Sequence, residues 1–198
     1  MKFDRKIIAL AVSSCFAGGV HALPVAPTVA AGSVSFLQNG SKLTVTNTPG
    51  SIINWQGFSI GQGEATRFIQ QSAASAVLNR VTGGDPSSIL GQLQSNGRVF
   101  LINPNGITFG AGAQIDVAGL VASSLHLSDA DFTNGRFKFI GSDSAGKVVN
   151  HGQIKTPGRS RRCDQYSVGH DSIRDSRVLG RGSGLERIYA WYRGTTYA

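Results

Sequence analysis

The stretch "RVFLINPNGITFGAGAQIDVAGLVAS", residues 98–123, decides how the chain folds. Apolar runs (Phe100-Leu101-Ile102, Ile107 with Phe109, Ile115 with Val117) follow one another with glycine and small residues packed between them. No two-residue hairpin turn separates matched strands, as an antiparallel meander would require. The run suits a parallel β-helix, in which each coil turns corners and stacks on its neighbour. Many short strands also fit a sandwich or a barrel, so the pattern alone leaves those open. At the centre, Asn103-Pro104-Asn105-Gly106 has the chemistry of a tight turn. Pro104 presets φ for the second turn position, Asn105 tolerates the third, and Gly106 accepts the positive φ often wanted next. The same residues could also be a label that another protein reads, and the two roles are compatible.

Outward from this run, apolar residues alternate in short pieces: Val34/Phe36, Leu43/Val45, Ile53/Trp55, Phe58/Ile60 and Phe137/Phe139. Each predicts a half-buried strand. Segments such as "NGSK", "NTPGS", "GQGE" and "SDSAGK" lie between them and supply turns. One segment departs from this, "GGDPSSILGQLQSNG". Asp85 can cap, Pro86 suits a first helical position, Ile89, Leu90 and Leu93 share a helical face, and Asn96-Gly97 can end it, so a short helix is predicted near 86–94. Asn79 alternates with Val77 and Val81 and is predicted to face inward with them. A buried Asn must bond to something, either turn carbonyls or a like residue stacked on it, which makes Asn79 a structural candidate. The open N-terminal end of a β-helix needs protection, and the strands after residue 30 are expected to cap it.

The two ends of the 198-residue chain distort its composition. "MKFDRKIIALAVSSCFAGGVHA" has Lys2, Arg5 and Lys6, an apolar run from Ile7 to Val20, and small residues at Val20-His21-Ala22, which together read as a secretory signal peptide cut after Ala22. The run is too short for a membrane span of about 20 apolar residues. Val12-Ser13-Ser14-Cys15 loosely resembles a lipoprotein processing site, which is the alternative. Residues 158–198 hold eight Arg, no Lys and all four Tyr, without strand alternation. They read as an atypical tail, either out-of-frame sequence from a frameshifted or truncated gene or a genuine flexible extension. The body, 23–157, has eight basic residues (Lys42, Arg67, Arg80, Arg98, Arg136, Lys138, Lys147, Lys155) against six acidic ones (Glu64, Asp85, Asp116, Asp129, Asp131, Asp143), a net of only +2. The pI near 10.0 therefore belongs to the ends, and the body lacks the basic patch and interleaved aromatics of a nucleic-acid binder. Neither cysteine, Cys15 or Cys163, falls in the body. An exported domain without disulfides either crosses a second membrane unfolded or has a core large enough to do without them.

Catalytic chemistry finds little purchase in these residues. β-Helices also host polysaccharide lyases and hydrolases, and glycoside hydrolysis wants two carboxylates across a cleft. Asp129 and Asp131 are the close pair, but "LSDADF" reads as a turn or a short helix start. His126 and His151 have no Cys or His at ligand spacing, so no metal site is expected. There is no G-x-S-x-G context, and "GQGEATR" is no phosphate loop. No cofactor is expected and the domain is read as no enzyme.

The segment "VLNRVTGGDPSSILGQLQSNGRVFLINPNGITFGAGAQIDVAGLVASSL" closely resembles the N-terminal two-partner-secretion, or haemagglutination-activity, domain of filamentous-haemagglutinin-like exoproteins. "LTVTNTPGSIINWQGFSIGQGEATRF", "DADFTNGRFKFIG" and "KVVNHGQIKT" follow the family's order, so the resemblance covers residues 29–157. It implies an all-β, right-handed parallel β-helix with an N-terminal cap. It also implies recognition by periplasmic domains of an outer-membrane transporter, which exports a much longer adhesin, haemolysin or contact-dependent toxin from a Gram-negative cell. Host-surface glycans or receptors would be met by regions beyond this chain. In the family, Asn103, Pro104, Asn105, Gly106 and Ile107 form a motif associated with secretion. A second motif, Asn-Pro-Asn-Leu, occurs in some members where this chain has "QQSAAS", residues 70–75, so its role does not carry over. The alternative is a β-helical carbohydrate-binding or polysaccharide-degrading protein. A groove of clustered carboxylates would favour that alternative, and an apolar or edge-strand surface would favour the secretion module.

Overall fold

The computed structural model describes residues 22–140, 145–156, 159–160 and 188–192, the last two stretches by backbone alone. The predicted leader up to His21 and most of the atypical tail lie outside the described residues.

Two strands open the fold, β1 (Val25–Ala31) and β2 (Val34–Asn39). The first coil follows as β3 (Lys42–Asn47), β4 (Ser51–Gly57) and a bridge at Ile60. The second coil is β5 (Ala65–Ile69), β6 (Ala76–Val81) and β7 (Ser87–Ile89). In the third, β8 (Gln92–Ile102) runs through a corner to serve two sheet faces before β9 (Ile107–Phe109). The fourth repeats this with β10 (Gln114–Ser123), then makes an excursion through β11 (His126–Leu127), α1 (Asp129–Thr133) and β12 (Phe139–Ile140) before β13 (Val148–Asn150). A further coil starts at β14 (Gln153–Thr156), against which β15 (Arg159–Ser160) folds antiparallel, and β16 (Ile188–Tyr192) pairs antiparallel with the second half of β10. The result is a parallel β-solenoid of about 4 turns.

Its N-terminal end is closed by β1, antiparallel on β4, and β2, antiparallel on β3. The cap thus begins at Val25, a few residues earlier than the sequence suggested. The coils stack in parallel register, so each interior position forms a column. Leu43, Thr66, Leu93, Ile115 and Ile154 make one column, and Ile53, Asn79, Leu101 and Ala122 make another. These columns fill the central apolar cluster, where Trp55 meets Phe36 and Phe58 edge-on at ring separations of 5.7 and 5.5 Å. A second cluster lies outside the solenoid. The outer column Ile52, Leu78, Phe100 and Val121 is covered by Leu127 and Phe132 of the excursion, with Phe137 and Phe139 alongside.

The helix expected near 86–94 is not formed, because those residues are β7, a corner and the start of β8. Ile89 points into the column Ile60, Ile89, Phe109, while Leu90 is 41% exposed, so Ile89, Leu90 and Leu93 share no face. The neighbouring coils provide ladder partners on both sides, and this tertiary pairing overrides a local helical signature. Gly91 makes the corner possible, since a Cβ there would run into the carbonyl oxygens of Gly61 and Glu64. The single helix among the described residues is α1, in the "SDADF" segment, with Ser128 as N-cap.

Candidate functional site

The Asn103–Gly106 corner joins β8 to β9 and is bolted to the coils on either side of it. Gly106 N–H donates to the Asn103 carbonyl at 3.0 Å, which closes the turn, and the Asn103 side-chain oxygen accepts the Asn105 N–H at 3.0 Å. This second bond is an Asx turn laid over the first. Asn103 is fully buried, and its amide nitrogen donates back one coil, to the Asp85 carbonyl at 3.0 Å and the Ser87 hydroxyl at 2.9 Å. Asn105 reaches the same way, donating to the Gly83 carbonyl at 2.8 Å. Forward, the Pro104 carbonyl accepts from Gly146 at 2.7 Å and Ile107 N–H donates to the Lys147 carbonyl at 3.0 Å. Gly106 has φ +108°, and a Cβ on it would lie 2.9 Å from the Lys147 oxygen. No other residue type fits there without moving a backbone. The tip, Pro104 and Asn105, is exposed, whereas Asn103, Gly106 and Ile107 are buried.

Asn79 sits in the interior between Val77 and Val81. Its column neighbours, Ile53 and Leu101, are apolar, so it stacks on no like residue. Instead it accepts the Trp55 indole N–H at 2.9 Å and donates to the Phe100 carbonyl at 3.3 Å. This buried bond fixes the largest side chain of the core, as Trp is most often held when its N–H is out of water.

The carboxylates and histidines weighed for chemistry are dispersed. Asp129 pairs with Arg80 at 2.6 Å, and that guanidinium also donates to the Leu127 carbonyl at 2.8 Å, tying the excursion to β6. Asp131 accepts from the Ser128 hydroxyl at 2.8 Å and from Arg136 at 3.1 Å. The Ser128 bond is the largest influence and holds its carboxyl below the usual value of 3.8; burial opposes it, and the bond and charge of Arg136 lower it further. His126 and His151 are exposed, the first on β11 and the second in the connection between β13 and β14. Among the described residues no group of three or more His, Cys, Asp or Glu could hold a metal ion.

Two polar clusters escaped the sequence reading. At the corner "QQSAAS", Gln70 and Asn96 exchange bonds across coils, the Gln70 N–H to the Asn96 side chain at 2.7 Å and the Asn96 amide to the Gln70 carbonyl at 2.6 Å. The corner without the second motif is thus braced by side-chain amides from two coils. At the N-terminal end, Glu64 is 5% exposed and takes backbone N–H bonds from Gly61 and Ala22. Neither has a periodic signal, because Asn96 lies 26 residues from Gln70 and Ala22 lies 42 from Glu64.

Comparison with known proteins accounts for this architecture. The chain is 36% identical over 179 residues to the heme/hemopexin-binding protein of Haemophilus influenzae strain Rd, an alignment covering 86% of this chain and 20% of that protein. A second heme/hemopexin-binding protein of Haemophilus influenzae is 37% identical over 100 residues, covering 50% of this chain and 11% of its own length. The chain thus spans about a fifth or less of the curated relatives it matches. Among solved structures, the crystal structure of the HMW1 secretion domain from Haemophilus influenzae superposes with a TM-score of 0.62 at 42% identity, covering 64% of this chain and 35% of that one. The sequence profile of the TPS secretion domain matches residues 23–171, and the chain belongs to that two-partner-secretion family.

Proposed function

We propose that the body of this chain is the export tag of a large exoprotein, delivered to the periplasm by the leader at residues 1–22 and recognised there by soluble modules of its outer-membrane transporter. The family implies such a transporter and a secreted or cell-surface destination in a Gram-negative bacterium. The leader, the periplasmic docking step and the passenger, whether adhesin, haemolysin or toxin, belong to the proposal. So do contacts of the exported protein with host glycans or receptors.

The observation that carries the reading is the Asn103–Gly106 corner. Asn103 and Asn105 tie it to the preceding coil and the Pro104 carbonyl ties it to the following one, while Pro104 and Asn105 remain exposed as an outward tip. We assign the corner mainly to shaping the domain and the transporter contact to the exposed edge of the cap. β2 pairs with β3 on one side, and Leu37 on it is 68% exposed. An edge of this kind invites backbone pairing with a strand of a receptor module. No reaction is assigned to the domain, since Asp129 and Asp131 are each engaged by Arg or Ser partners.

The test is export of the chain by a cognate transporter, scored in parallel with folding. Asn105→Ala removes the bond to Gly83, costs about 1 kcal/mol as one hydrogen bond does, and should lower export only as far as it lowers the folded fraction. A fully folded Asn105→Ala protein that stays in the periplasm would make the tip a label. Failure of the unaltered domain to bind the transporter's isolated periplasmic modules would overturn the reading altogether.

A further inference from the structure

The chain contains the pairs Asn39-Gly40, Asn96-Gly97, Asn105-Gly106 and Asn134-Gly135, and the fold treats one of them differently. An asparagine followed by glycine closes on itself most readily, because no Cβ on the glycine shields its nitrogen from the asparagine carboxamide. Hydrogen bonds to either group hold the two apart. Asn96 is held at both ends of its carboxamide, the oxygen accepting the Gln70 N–H at 2.7 Å and the nitrogen donating to the Gln70 carbonyl at 2.6 Å. Gly97 N–H donates to the Ser95 hydroxyl at 3.0 Å. Asn105 donates to the Gly83 carbonyl, and Gly106 N–H to that of Asn103. Asn134 donates to the Ala130 carbonyl at 2.7 Å, and Gly135 N–H to the Phe132 carbonyl at 3.1 Å.

Asn39-Gly40 lies at the tip of the hairpin between β2 and β3, where Asn39 pairs with Lys42. Both residues of the pair are exposed. Among the described residues no hydrogen bond engages the Asn39 carboxamide or the Gly40 N–H. Gly40 has φ +55°, and nothing lies within 4 Å of the place a Cβ would take, so the turn has room for ring closure. Both reacting groups are thus unrestrained here, whereas each of the other pairs has both of them bonded.

We propose that Asn39 is a modification site of the folded domain, the Asn-Gly pair that the fold leaves open to spontaneous deamidation. Hydroxide takes the proton from Gly40 N, the nitrogen bonds to Asn39 Cγ, and the Cγ–Nδ2 bond breaks as ammonia leaves with a proton from water. A second water then opens the cyclic imide. Addition at Cγ leaves an aspartate at position 39, and addition at the backbone carbon leaves an isoaspartate, whose main chain runs through Cβ and Cγ. Both products put a negative charge opposite Lys42 at the end of β2, and the longer isoaspartyl link also disturbs the pairing that the turn sets. The modification alters the hairpin edge assigned above to the transporter, but its chemistry does not rest on that assignment.

The experiment incubates the whole folded chain at mildly alkaline pH, which supplies the hydroxide, and in parallel in concentrated urea. Peptide mapping by mass spectrometry follows the mass gain at each Asn-Gly pair, and an isoaspartyl methyltransferase counts the isoaspartate. In the folded chain Asn39 should convert about tenfold faster or more than Asn96, Asn105 and Asn134, since each of those must first lose hydrogen bonds and the cost of that opening enters the rate. In urea the pairs should converge. Asn39→Gln should abolish the early conversion in the folded chain and leave the slower ones unchanged. Equal rates at all the pairs in the folded chain, or a lead by any pair other than Asn39-Gly40, would overturn the proposal, as would an early phase that survives Asn39→Gln. Export and binding to the transporter's periplasmic modules are scored separately, so failure here leaves the proposed function standing.

Discussion

The two long strand stacks of the solenoid run side by side and share β8 and β10, yet they solve different burial problems. In the stack through β3 and β5, buried residues alternate with half-buried or exposed ones, as in Leu43, Thr44, Val45, Thr46. In the stack through β4 and β6, both faces are covered: Ile53, Asn79 and Leu101 point into the solenoid and Ile52, Leu78 and Phe100 point out under the excursion. A sheet buried on both faces reads as a continuous apolar run, whereas one facing water reads as alternation. The excursion of 124–140 is what makes the difference. It brings Phe132 to Phe100 edge-on at 5.2 Å and Phe137 to the same ring at 5.0 Å.

The hardest way to break this arrangement is from inside. Trp55→Ala removes the largest buried side chain, strips the edge-on contacts to Phe36 and Phe58, and leaves the Asn79 oxygen without its indole donor. The loss should be about 3–5 kcal/mol, in the range for large aromatic deletions from a core. Because the columns run through every coil, the whole domain should lose stability together. Urea unfolding followed by circular dichroism measures this, and a loss under about 1 kcal/mol would mean that the interior repacks far better than a close-packed core does.

Phe132→Ala strikes the outer layer and should behave differently. Phe132 is 5% exposed, but it belongs to a five-residue helix that stacks on the solenoid rather than forming part of a coil. Its loss should cost up to about 3 kcal/mol and release the excursion locally. Amide exchange should accelerate across 124–140 while β6 and β9 keep their protection. Equal acceleration throughout would show that the two layers unfold as one and would erase the distinction between them.

The same contrast governs what could be read from the sequence. Alternating pairs such as Leu43/Val45 and Ile107/Phe109 announced their strands because one face meets solvent. "DPSSILGQL" misled because a helix start and a corner between strands use the same residues. Only the columns from Ile60 and Phe109, supplied by other coils, decide for strand. In the candidate site, the turn chemistry of Asn103–Gly106 was legible in four adjacent residues. Its fastening was not, since Asp85, Ser87 and Gly83 lie a coil earlier and Lys147 lies beyond the excursion. Glu64 gave no signal at all, because its burial depends on where residues 22–24 pack.

The smallest test addresses how the outer layer is started. Ser128 caps α1, accepting the Asp131 N–H at 3.1 Å while its hydroxyl donates to the Asp131 carboxylate at 2.8 Å. Ser128→Ala should cost about 1 kcal/mol, the usual value of an N-cap, and again within the excursion alone. It should also let the Asp131 carboxyl rise toward its ordinary value of 3.8, since the Ser128 bond is the main cause holding it down, with Arg136 remaining. A depressed carboxyl stabilises the fold above its unfolded pKa and loses that contribution as the pH falls through its folded value. In the unaltered protein the excursion should therefore hold its exchange protection down to pH 3.8 and surrender the Asp131 share only below it. In Ser128→Ala that pH dependence should shrink. An NMR titration of the Asp131 side chain in both proteins reads the shift directly, and identical curves would mean that Arg136, rather than the cap, sets the ionisation.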